Sequence, residues 1–156
     1  MALPADDTVE MRTATPADAD DVLRLTREAY AKWIPLIGRE PKPMNADYAL
    51  AVVQHRIDLL FLEGALAGLI EMVDEDDALL VENVAIAPAL QGRGLGSRLM
   101  LHAESLARAA GRRRVRLYTN QRFAENIRLY RSLGYVLTGE EDLGAGTIRV
   151  DMAKSL

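Results

Sequence analysis

A chain of 156 residues with 49% hydrophobic and 27% charged residues is long enough to bury a full core and too apolar to stay disordered. Its net charge of −4 argues against a general nucleic-acid-binding surface, and the lack of cysteine excludes a disulfide framework, a thiol nucleophile and a cysteine-based zinc site. The longest apolar runs fall far short of the roughly 20 residues of a membrane span, and the polar, acidic start lacks the basic and apolar regions of a signal peptide. One domain over 1–156 is expected, with 1–8 flexible and a cytoplasmic location.

Residues 9–14 alternate and predict a first strand. Thr15, Pro16 and Asp18 form a helix-start signal, and Val22, Leu25, Ala29 and Trp33 follow at helical spacing through 21–32. Pro35, Gly38, Pro41 and Pro43 break that pattern and predict a loop over 34–44. Asn45 is placed to cap a second helix over 46–54. Strands are then predicted at 58–63 and 65–73, joined at Glu63-Gly64, and at 78–86 after a solvated turn over Asp74-Glu75-Asp76-Asp77. The run 78–86 is mostly apolar, as a central strand should be.

A Gly-rich turn and a helix over 94–110 come next, with Leu95, Leu99, Ala103 and Leu106 on one face and Gly111 as the stop. A strand at 114–119 follows this crossover and so pairs parallel with 78–86. Arg112, Arg113 and Arg114 would cap the preceding helix. A helix over 124–133, a strand at 135–140, a hairpin turn at Gly144-Ala145-Gly146 and a last strand at 147–153 complete a mixed α/β sheet with helices on its faces.

The stretch around Gly92, Gly94 and Gly96 carries the chemistry. Glycine lets the backbone approach a ligand closely, and a helix N-terminus offers unpaired N–H groups to a phosphate. A P-loop would need a Lys after the glycines, and none follows. A dinucleotide fingerprint would need a third Gly where Ser97 stands, and an acidic residue on the next strand, where arginines crowd instead. Gln-x-x-Gly-x-Gly is present, as Gln91-Gly92-Arg93-Gly94-Leu95-Gly96.

That string, after Val84-Ala85-Ile86-Ala87-Pro88, resembles the acyl-CoA-binding motif of the GNAT superfamily of N-acetyltransferases. The run Ala124-Glu125-Asn126-Ile127-Arg128-Leu129-Tyr130 before Gly134-Tyr135 resembles the family's second motif. The resemblance implies a mostly antiparallel sheet with a parallel, splayed central strand pair. It implies acetyl-CoA as cosubstrate, direct transfer to a primary amine of a small molecule, and no metal. A protein lysine or N-terminus is the alternative acceptor, and a non-catalytic acyl-CoA sensor the alternative function. Dimers are common in the family, so a homodimer is expected.

Residue by residue, the resemblance implies that Val84, Ala85 and Ile86 hold the pantetheine arm. It assigns the diphosphate to the backbone of Gln91, Gly92, Arg93, Gly94, Leu95, Gly96 and Ser97, with Arg93 adding charge. The family's CoA-contacting Asn often lies seven residues before the Tyr, where this chain has Phe123. Positions 123 and 126 share a helix face, so the contact is carried to Asn126. Tyr130 would protonate the departing thiolate; the ordinary alternative is that an aromatic at helical spacing is a core residue. A bulge near Asn83 would splay the sheet and free the Val84 N–H for the oxyanion.

Glu82 is the general-base choice, on the same strand face as Val84; the ordinary alternative is an ion pair with Arg114 or Arg116. The acceptor pocket is expected from Tyr30, Trp33, Arg39, Met44 and Tyr48, or else that loop simply packs on the sheet. Arg39 hints at an acceptor carboxylate. His55 and His102 stand in no metal-like cluster.

Overall fold

A computed structural model describes residues 8–156. The segment expected to be flexible, 1–8, lies outside them except for Thr8, whose carbonyl accepts the Glu63 N–H at 2.9 Å. The chain runs β1 (Val9–Thr13), α1 (Ala19–Tyr30), α2 (Ile34–Ile37), α3 (Tyr48–Gln54), β2 (Arg56–Leu62), β3 (Ala65–Glu75), β4 (Ala78–Ile86), α4 (Leu95–Ala109), β5 (Arg114–Asn120), α5 (Ala124–Ser132), β6 (Val136–Gly144) and β7 (Thr147–Ser155). The strands form one sheet in the order β1-β2-β3-β4-β5-β7-β6. Every neighbouring pair is antiparallel except β4 and β5, which α4 connects.

Strand alternation divides the core. Leu60, Ile70, Met72, Val81 and Leu117 pack with Leu99, Met100 and Ala103 of α4. Leu59, Leu69 and Ala85 face the other way, onto Val22 and Leu25 of α1 and Tyr48 of α3. Helices therefore cover both faces. Leu106, expected on the buried stripe of α4, is only half-buried; Met100, Glu104 and Ala107 fill that face. Glu104 is tolerated there because Lys154 donates to it at 2.9 Å and the Tyr135 hydroxyl at 3.1 Å.

Three local expectations are corrected. The predicted loop at 34–44 is largely helical: Pro35 sits in the first turn of α2, Gly38 ends it at φ +76°, and a 3-10 turn follows at Lys42–Asn45. Proline at a helix start costs nothing, so these prolines punctuate short helices and do not forbid them. Asn45 lies in that turn and does not cap α3; Asp47 does, accepting the Leu50 N–H at 3.1 Å. The acidic turn is shorter and less free than expected. β3 continues through Glu75, and Arg112 binds Asp74 at 2.7 and 2.8 Å. The Arg112 side chain thus reaches across to the β3–β4 hairpin, while its backbone N–H closes the end of α4 on the Ala107 carbonyl at 2.8 Å.

Gly68 of β3 sits opposite Ile86 in the sheet. A methyl at Gly68 would lie 2.9 Å from Ile86 Cδ1 and 3.2 Å from the Ala85 carbonyl oxygen. Gly68→Ala should therefore cost about 1–3 kcal/mol through overpacking, read as a lowered urea midpoint. An unchanged midpoint would show that the strand gives way freely.

Candidate active site

The parallel pairing of β4 with β5 lasts only from Ala78↔Arg114 to Val81↔Leu117. One residue later β4 bulges. Met72 pairs with Val81 and Glu71 with Asn83, so Glu82 is the extra residue without a partner on β3. Past this point β5 stays with β7 as far as Asn120↔Arg149, and β4 stays with β3. The two central strands diverge into a fork. The Ala87 N–H bonds the Ala67 carbonyl, which turns 83, 85 and 87 toward β3. Val84 and Ile86 therefore turn their backbone edges into the opened gap. Their carbonyls accept there from side chains, Val84 from the Tyr30 hydroxyl at 3.3 Å and Ile86 from Gln91 Nε2 at 3.0 Å.

The Gly-rich turn stands beside this gap. Gly92 and Gly94 have φ of +79° and +86°, a region that a side chain rarely adopts. Gly94 is the N-cap of α4, and the first helical bond runs from the Arg98 N–H to its carbonyl at 3.1 Å. The N–H groups of Leu95, Gly96 and Ser97 thus have no acceptor within the helix. They border a cleft of about 280 Å³ together with Val84, Ile86, Gln91, Gly92 and Gly94. Arg93 is exposed on the outside of the turn.

The far wall of the cleft is α5, which presents Asn126, Leu129 and Tyr130. Phe123 does not share a helix face with Asn126: it is the N-cap residue, outside the helix, and it stacks on Trp33 with centroids 4.4 Å apart. The Tyr130 ring is buried, and burial pushes its phenol up to about 12, so it holds its proton at neutral pH. Its hydroxyl makes no hydrogen bond among the described residues.

Glu82 stands at the base of the fork. Its carboxylate accepts the Tyr118 hydroxyl at 3.0 Å. Burial, then the Glu82 charge, pushes Tyr118 up to about 12, and Arg149 lies 4.8 Å over its ring. The expected partners of Glu82 are engaged elsewhere: Arg116 binds Glu75 at 2.6 and 2.9 Å, and Arg114 lies 3.9 Å from Asp77. Nor does Glu82 share the face of Val84. Val84 packs toward α4, while Glu82 lies on the side of Tyr118, Tyr48 and Glu71. The bulge breaks the alternation and turns it there.

Asn83, next in the chain, is a hub that the sequence reading did not single out. It is 3% exposed. Its Oδ1 accepts the Tyr30 hydroxyl at 2.7 Å, and its Nδ2 donates to Thr26 and to Tyr48, both at 3.2 Å. The Tyr48 hydroxyl itself donates to the Pro43 carbonyl at 2.7 Å. The signal was available: an amide inside an apolar strand must be satisfied from neighbouring elements. Close by, Glu71 accepts from His55 Nδ1 at 2.7 Å, and burial raises its carboxyl above the usual range. His102 likewise meets a carboxylate, Asp58, at 2.7 Å.

The expected acceptor residues do not form one pocket. Tyr30 and Trp33 line the cleft beside the Gly-rich turn. Met44 and Tyr48 are buried in the α1–α3 packing. Arg39 alone points outward, to Thr147 Oγ1 at 3.2 Å. Among the described residues no group of three His, Cys, Asp or Glu side chains is arranged to hold a metal, and no helix is long and apolar enough to cross a membrane.

Comparison with known proteins agrees with this architecture. The mouse protein N-alpha-acetyltransferase 80 is 44% identical over 71 residues, which are 46% of this chain and only 21% of that protein. The chain thus matches about a fifth of that relative's length. The PaiA N-acetyltransferase of Thermoplasma acidophilum, solved in complex with coenzyme A, superposes with a TM-score of 0.79 at 18% identity, covering 96% of this chain and 99% of that one. A GNAT family acetyltransferase of Elizabethkingia anophelis, solved with acetyl-CoA bound, gives 0.75 at 15% identity, over 97% and 100%. Residues 20–135 match the model of the acetyltransferase (GNAT) family, and the chain belongs to that family.

Proposed function

We propose that the chain is an acetyl-CoA-dependent N-acetyltransferase that moves the acetyl group directly onto a primary amine of a small molecule. The observation that carries this reading is the fork. It turns the backbone edges of Val84 and Ile86 away from the neighbouring strands, beside the helix N-terminus at Leu95, Gly96 and Ser97, with only the Tyr30 and Gln91 side chains on their carbonyls. The amide groups of a pantetheine arm pair with such an edge as an added strand would, and the diphosphate meets the free N–H groups.

In this reading the amine arrives on the Glu82 side, and Glu82 takes its proton. The nitrogen attacks the thioester carbon, and the Val84 N–H meets the developing oxyanion. The C–N bond forms, the C–S bond breaks, and Tyr130 gives its proton to the leaving thiolate. With no cysteine in the chain, no thiol acyl-enzyme intervenes. A small acceptor is supported by two contacts that draw the α2 segment over the acceptor side, Arg39 to Thr147 and Arg122 to the Leu36 carbonyl at 3.2 Å. A protein N-terminus is the second reading, supported by the identity shared with N-alpha-acetyltransferase 80. The exposed Val136, Leu137 and Leu143 on the edge strand β6 support association of two copies.

The test follows free CoA release across amino acids, polyamines, aminoglycosides and peptides. Turnover with a small amine is expected; turnover with peptides alone would favour the second reading. Tyr130→Phe should lower the rate about tenfold to a hundredfold, at the low end for acid catalysis because a thiolate leaves readily, with acetyl-CoA affinity kept. Binding with no turnover of any amine would make the chain a sensor.

A further inference from the structure

The family's motif supplies the diphosphate with backbone donors from the Gly-rich turn, yet the cleft also receives a cation from the opposite side. Lys32 lies in the 3-10 turn Ala31–Trp33 that extends α1. It lines the cleft together with Gln91, Gly94 and Glu125. Its ammonium donates to Gln91 Oε1 at 2.8 Å and to Glu125 Oε2 at 3.0 Å. It also stands 4.7 Å over the Trp33 ring. The base of this side chain is held firmly, because Trp33 is buried and stacked on Phe123 at the start of α5. Gln91 is fixed in turn by its bond to the Ile86 carbonyl. The ammonium is thus stationed between the Gly-rich turn and α5, at the place where the turn would deliver a diphosphate.

We propose that Lys32 is a direct ligand of the donor's diphosphate, and that Glu125 holds this lysine in waiting and gives it up when the donor binds. The inference rests on the acetyl-CoA reading of the cleft. The Lys32 and Glu125 side chains are 39% and 61% exposed, so their bridge is a weak, water-screened one. A diphosphate brings more negative charge and is already fixed by the helix N-terminus, so the exchange runs toward it. Once the exchange is made, Glu125 is a like charge beside the phosphates. It therefore opposes binding twice, by holding Lys32 beforehand and by repulsion afterwards.

Titration of CoA and of pantetheine, which lacks the diphosphate, into the unmutated protein, Lys32→Met and Glu125→Gln tests this. Lys32→Met should weaken CoA about tenfold, the loss of one charge-assisted bond at a partly exposed site, and leave pantetheine unchanged. Glu125→Gln should tighten CoA about two- to fivefold and also leave pantetheine unchanged. Unaltered CoA affinity in Lys32→Met overturns the proposal. So does an equal loss for CoA and pantetheine, which would mean that Lys32 only shapes the cleft wall. If the unmutated protein binds no CoA, the acetyl-CoA reading falls and this inference with it; normal CoA binding with an indifferent Lys32 overturns this inference alone.

Discussion

Glu82→Gln is expected to lower kcat/KM on the order of a hundred- to a thousandfold at neutral pH, with acetyl-CoA affinity unchanged. A primary amine resembling a lysine side chain, with a pKa of about 10.4, is deprotonated in only about one part in two and a half thousand at pH 7. A base at the fork recovers most of that deficit, which is also the ceiling on its effect. Gln is nearly isosteric and still accepts the Tyr118 hydroxyl, so the fork stays built. The rate of the variant should climb with pH as free amine accumulates, and approach the parent rate in alkaline buffer. Initial rates across pH measure this. A variant as fast as the parent at neutral pH would remove Glu82 from the chemistry and leave it as the phenol's partner.

Asn83→Leu should cost about 2–4 kcal/mol of folding stability and lower turnover as well. The leucine leaves the Tyr30 hydroxyl, the Tyr48 hydroxyl and the Thr26 hydroxyl short of a partner in a buried site. The loss is at the lower end of three full penalties, because Tyr48 keeps the Pro43 carbonyl and Tyr30 keeps the Val84 carbonyl. Urea unfolding reads the stability term, and kcat/KM of the folded fraction reads the second. Asn83 follows the bulged Glu82, just past the last β4–β5 pair, Val81↔Leu117, so a shifted Tyr30 also shifts the Val84 edge. An unchanged midpoint would mean that water satisfies all three hydroxyls, and that α1 and α3 do not depend on this hub.

Much of the fold was legible because it is written in local patterns. The apolar run 78–86 between an acidic turn and a proline became β4 with the same bounds. The glycines announced the turn and the start of α4, where φ is positive and no side chain is tolerated cheaply. Short elements were harder. Nothing in Trp33-Ile34-Pro35 distinguishes a one-turn helix from a loop, since proline suits the first turn of either. Asp47 and Asn45 are both good caps, and only the tertiary position of α3 chooses between them.

The site was legible where a motif supplied it and hidden where register decided it. A bulge is a property of two strands: the family resemblance put one near Asn83, and only the register with β3 makes Glu82 the extra residue. Its consequence, the turn of Glu82 away from the Val84 face toward Tyr118, was equally out of reach. Lys32 and Glu125 are 93 positions apart and meet only because α1 and α5 flank the same cleft. Asn83 was the exception: its oddness in an apolar strand was visible, and only its partners were not.

Every proposed step requires that the fork and the Gly-rich turn together bind acetyl-CoA. Isothermal titration of acetyl-CoA into the purified protein tests it most directly. Saturable binding of one molecule per chain, competed by free CoA, is the predicted result. A flat titration, with the protein shown to be folded, would contradict it.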